Sequence, residues 1–212
     1  MTAVAGDADL VEDVDGAALA LARVLHAGGT VWAVGTTWPA GRSVDGEDPV
    51  AAVRAGSDAG DAVLLRAPAD DPVAADLARR APAWGVRATW VGSGPRPAGG
   101  TADDVLWSDD PEAVLAMLDE RAHAHLRRPE HLAVPVEVCV PVDGHCVTCS
   151  DEGRLGEVVA TPTDLLHPAR VRTAAGVEDV DVTLVGEVRP GDLLLVHAGS
   201  ALTVVPTSGG TP

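Results

Sequence analysis

The chain has 212 residues, a formal net charge of −17, and hydrophobic residues at 46% of its positions. That supplies enough apolar side chain for one large domain or two small ones, and no apolar run approaches the roughly 20 residues a membrane span needs. No membrane is therefore expected as a partner, and because the acidic field repels a phosphate backbone, neither is nucleic acid.

The N-terminal stretch to Asp15 is acidic and lacks a positive region followed by a hydrophobic core, so it does not read as a secretory signal. Three cysteines without such a signal imply free thiols in a reducing cytoplasm. Every basic side chain other than histidine is arginine, and Phe and Tyr are absent. The core must therefore come from small aliphatic residues and five tryptophans.

In chain order, Leu10, Val14, Ala18, Leu21 and Leu25 recur at helical spacing, and Gly28-Gly29 ends the run. Residues 30–35 have the look of a short buried strand. The alternation continues with a strand over 61–67, a helix over 72–83, strands over 86–92 and 104–107, and a long helix over 111–128. Strands alternating with helices imply parallel pairing with right-handed crossovers. The first 130 residues thus read as an α/β three-layer, Rossmann-like domain.

After Arg128 the pattern changes. Pro129, Pro135 and Pro141 punctuate an extended stretch that cannot be helix interior, and residues 131–145 read as a Pro-rich linker. From Gly156 onward only short strands are expected, over 156–160, 169–173, 180–185, 192–197 and 201–205, with Pro190-Gly191 as a tight turn. Five short strands in so short a segment suggest a small all-β, OB-like barrel covering residues 146–212.

His145-Cys146-Val147-Thr148-Cys149-Ser150-Asp151-Glu152-Gly153 is the chemically densest stretch. Cys139, His145, Cys146 and Cys149 could form a zinc site, although no second Cys-x-x-Cys supplies the ligand pair from a separate turn that structural zinc usually draws on. A thioredoxin-type redox pair would sit at a helix N-terminus, and here a glycine turn and a strand follow. The cysteines could equally be small core residues.

The segment Cys146 to Glu152, followed by Val182-Thr183-Leu184-Val185-Gly186, Pro190-Gly191-Asp192 and Leu195-Val196-His197-Ala198-Gly199, resembles the HypC/HupF family of [NiFe]-hydrogenase maturation chaperones. In the short members of that family the cysteine directly follows the initiator Met, whereas here it is internal. The resemblance implies a carrier without enzymatic activity. Cys149 would hold an Fe(CN)2CO fragment in complex with a HypD-type protein and deliver it to the hydrogenase large-subunit precursor. Cys146 would share or flank that role, and His197 would assist as second ligand or hydrogen-bond donor.

The first half resembles a degenerate SIS (sugar isomerase) domain of the phosphoheptose-isomerase type, in its helix-strand opening and in the segments Ala83 to Arg87 and Asp103 to Trp107. That resemblance implies a fold and a homodimer through this half, and it raises a sugar-phosphate isomerase or binding protein as the alternative function. Such an isomerase needs hydroxyl-rich loops that cradle phosphate. Residues 35–43 place Trp38-Pro39 there, and residues 66–72 hold no hydroxyl but two aspartates. His123 and His125 lie two residues apart on one helix, so they do not form an i, i+4 metal pair.

Overall fold

The computed structural model describes residues 7–44, 46, 48–94, 102–132, 153–162 and 167–206. The chain divides into two units, Met1–Ala81 with Val86–Ala133, and Pro82–Gly85 with Val134–Pro212.

The first unit holds helices α1 (Asp7–His26), α2 (Pro49–Gly56), α3 (Pro72–Arg80) and α4 (Pro111–Leu126), and strands β1 (Val31–Val34), β2 (Arg42–Ser43), β3 (Ala62–Arg66), β4 (Arg87–Gly92) and β5 (Asp104–Trp107). The strands pair in parallel in the order β2-β1-β3-β4-β5. α2, α3 and α4 start alike. Asp48, Asp71 and Asp110 each accept N-terminal amides through the side chain, and each is followed by a proline in the first helical turn. An aspartate cap satisfies donors the helix leaves open, and proline loses nothing where no amide bond is due. α1 ends where Gly28 turns left-handed at φ 83 and Gly29 N–H closes on Val24 O at 2.9 Å.

Both faces of this sheet are buried. Val31, Ala33, Leu64, Val91 and Leu106 join one core with Val14, Leu21, Val114 and Leu118 from α1 and α4. Strand alternation sends Trp32, Val34, Val63, Leu65 and Trp90 to the other face, where they too are buried. A fully buried leucine or valine contributes roughly 1.5–3 kcal/mol, so a core without Phe or Tyr is adequate. β2 and α2 do not figure among the elements expected from sequence. β2 is only two residues long, and α2 is a short helix ending in glycine.

The second unit is antiparallel, with strands β6 (Arg154–Ala160), β7 (Ala169–Thr173), β8 (Gly176–Val180), β9 (Leu193–His197) and β10 (Ser200–Val205) in the order β10-β9-β6-β7-β8. Its core is small and aliphatic, including Val158, Val171, Val180, Val182, Leu194 and Val196. Asp181, the residue after β8, forms a parallel bridge with Ser200 at the start of β10. Pro190-Gly191 forms the expected turn. Gly191 has φ 92, and Asp192 N–H returns to Arg189 O at 3.0 Å.

One expected strand is displaced. Residues 180–185 alternate as a strand should, yet the ladder runs over Gly176–Val180 and residues 183–185 form a turn. Val180 and Val182 are indeed buried. The Asp181 carboxylate, however, takes the Thr183 N–H at 2.8 Å, and Val185 and Gly186 N–H both donate to Val182 O. A local side-chain bond of this kind competes with the ladder and wins here.

Candidate functional site

Cys139, His145, Cys146 and Cys149 lie outside the described residues, as do Ser150, Asp151 and Glu152. His197 is described. It is the half-buried last residue of β9, and its register partner across the hairpin is Ser200. Ala198 and Gly199 between them have φ 48 and 80. Two positive φ values in a two-residue connection define the mirror-image turn whose twist matches paired strands.

The described chain nearest the thiol segment begins at Gly153 and enters β6 at Arg154. Arg154 stands opposite Val196 on β9, so one further step along that antiparallel register brings Gly153 level with His197. A Cβ at Gly153 would meet Leu195 Cδ1 at 3.0 Å, which leaves little space above β9 at this point. The Arg154 guanidinium bonds Glu178 at 2.5 Å across the sheet and stays half-exposed.

Farther along β6, Glu157 is buried at 1% exposure and accepts the Trp84 indole N–H at 2.9 Å, while the Arg172 guanidinium stacks 6.0 Å from the Trp84 ring. The sequence gives no spacing signal for this group, because Trp84 is distant in the chain from β6. Among the described residues no group of three His, Cys, Asp or Glu side chains could hold a metal.

In the first unit a cavity of about 380 Å³ opens at the carboxyl ends of β1 and β3, lined among others by Gly35, Leu65, Arg66, Asp71 and Val73. The strand order reverses between these two strands, which is where open α/β sheets bind ligands. The donors an anion would need are already engaged. Asp71 Oδ1 accepts Val73 and Ala74 N–H at 2.9 and 2.8 Å, Asp48 Oδ1 accepts Ala51 N–H at 2.9 Å, and Arg66 Nε bonds Glu112 at 2.8 Å. Trp38, which falls where a phosphate loop would place small residues, turns into the core at 4% exposure.

His123 Nδ1 lies 2.9 Å from Asp119 O, one turn back on α4, and His125 borders a separate shallow cavity with Arg127 and Arg128. The two histidines share no ligand. No helix among the described residues is long and apolar enough to cross a membrane. A comparison with protein-family models finds no match for the chain, and a comparison with curated proteins finds none either.

Proposed function

We propose that the chain is a hydrogenase-assembly protein of the HypC/HupF kind, acting in the cytoplasm. In this reading the second unit is a small OB-like barrel, and the bridge from Asp181, just past edge strand β8, to Ser200 of edge strand β10 supports near-closure. Cys149 carries or passes an Fe(CN)2CO fragment, with a HypD-type protein as co-carrier and the large-subunit precursor as recipient.

The observation that carries the proposal is a juxtaposition. The strand that follows the thiol segment starts beside the end of β9, where His197 sits. Cys149 precedes Gly153 by four residues, a covalent reach of at most ~14 Å. Low-spin ferrous iron with cyanide and carbonyl ligands is well matched by a soft thiolate. His197 supplies a donor or second ligand, and Cys146 flanks the site.

Replacing Cys149 tests the reading. Cys149→Ala is expected to abolish hydrogenase maturation and to remove the CO and CN infrared bands from the protein co-purified with its HypD-type partner, with the circular dichroism unchanged. Wild-type processing by that variant would refute it. His197→Ala is expected to lower the iron fragment carried without removing it.

The switch-point cavity favours a second reading, in which the first unit, SIS-like and homodimeric, acts on or binds a sugar phosphate. The capped helix starts and the buried Trp38 weigh against it, because they leave phosphate few free donors. No turnover of sedoheptulose 7-phosphate is expected.

A further inference from the structure

Among the described residues, Ala198 is the only non-glycine with positive φ, at 48°. A left-handed backbone costs an L-residue roughly 1–2 kcal/mol, and Asn or Gly fills such a turn with less strain. Persistent strain of this kind requires surroundings that impose it.

The surroundings are the main chain of Asp181. Its N–H donates to Gly199 O at 2.9 Å, and its carbonyl accepts the Ala201 N–H at 2.8 Å, so one residue grips the turn on both sides of Ser200. Asp181 is in turn fixed from within its own loop. Its Oδ1 accepts the Thr183 N–H at 2.8 Å and the Thr183 hydroxyl at 2.5 Å. Val185 and Gly186 N–H close on Val182 O at 3.0 and 2.9 Å, and Val182 anchors the loop in the core at 1% exposure.

We propose that the loop from Asp181 to Gly186 is the positioning device for His197, holding the 197–200 turn so that the histidine stays at the end of β9, level with Gly153. What the histidine serves rests on the delivery reading above; the bracing itself does not. Asp181 is thus a positioning residue, acting through Thr183 and the turn and not through contact with cargo.

The test is NMR on the full-length chain. Asp181→Ala removes the acceptor for Thr183, whereas Asp181→Asn keeps an oxygen able to take the same bonds. Asp181→Ala is expected to move the His197 ring resonances and to speed exchange of the Ala201 amide at least tenfold. Exchange at Leu194 and Val171 should stay unchanged, and Asp181→Asn should restore both His197 and Ala201. Unchanged His197 resonances and Ala201 exchange in Asp181→Ala would overturn the proposal, even if Cys149 proves to carry iron. Should Asp181→Ala fail to fold, Thr183→Val decides, since it deletes only the hydroxyl bond. A shift of the His197 ring resonances in Thr183→Val supports the proposal and none overturns it. If the shifts appear while Cys149→Ala still supports maturation, the bracing stands and the delivery reading falls.

Discussion

Asp181 is exposed, yet its carboxyl titrates below the usual carboxylate range, because first the hydroxyl and then the N–H of Thr183 donate to it. A lowered folded value means the charged form is favoured in the native loop. The stabilisation is present above the usual carboxylate range and is lost only as pH falls through the lower folded value. The Thr183 amide resonance should follow that low midpoint, and Thr183→Val should return it toward the ordinary range. Sequence gave no hint of this role, because alternation around Asp181 reads as a strand and the Asp-x-Thr bond that breaks it is a local geometric choice. At the same scale, Trp84→Phe is expected to cost about 1–3 kcal/mol in chemical unfolding by removing a donor from the buried Glu157 carboxylate.

The elements of the first unit were the most legible, and the reason is chemical. Aspartate followed by proline marks three helix starts, and short Val- and Leu-rich runs mark the strands between them. α2 carries the same Asp-Pro signal and could have been found by it. Gly35 shows what an element demands at its end. It has φ 72, and a Cβ there would stand 2.3 Å from Arg66 O on β3. Gly35→Ala is therefore expected to destabilise by at least about 2 kcal/mol, combining left-handed strain with a backbone collision, read as a lowered denaturation midpoint. In the second unit β7 falls where the sequence places it, whereas β8 arrives earlier along the chain than alternation suggests. The thiol segment lies outside the described residues. Cysteine spacing names candidate ligands without fixing where the chain carries them, and only its downstream neighbour Gly153 is placed.

On the scale of the whole molecule, the two units have cores of different make. The first contains Trp38 in the same cluster as Leu118, while the aliphatic cluster around Val171 contains no aromatic ring among its described members. Leu118→Ala is expected to cost about 2–5 kcal/mol and to be visible in tryptophan fluorescence, and Val171→Ala should be visible there too through Trp84, which sits against the neighbouring Arg172. The contact between the edges of the antiparallel sheet has a further consequence. β8 and β10 are the strands whose unpaired amides and carbonyls could template another chain, and β10 also exposes Leu202 and Val204. The bridge from Asp181 to Ser200 occupies part of that row on β10 and on the residue that follows β8. The same residue that holds a turn in place thereby narrows the opening for edge-to-edge self-assembly, so loosening it should show first as a tendency to aggregate at high concentration.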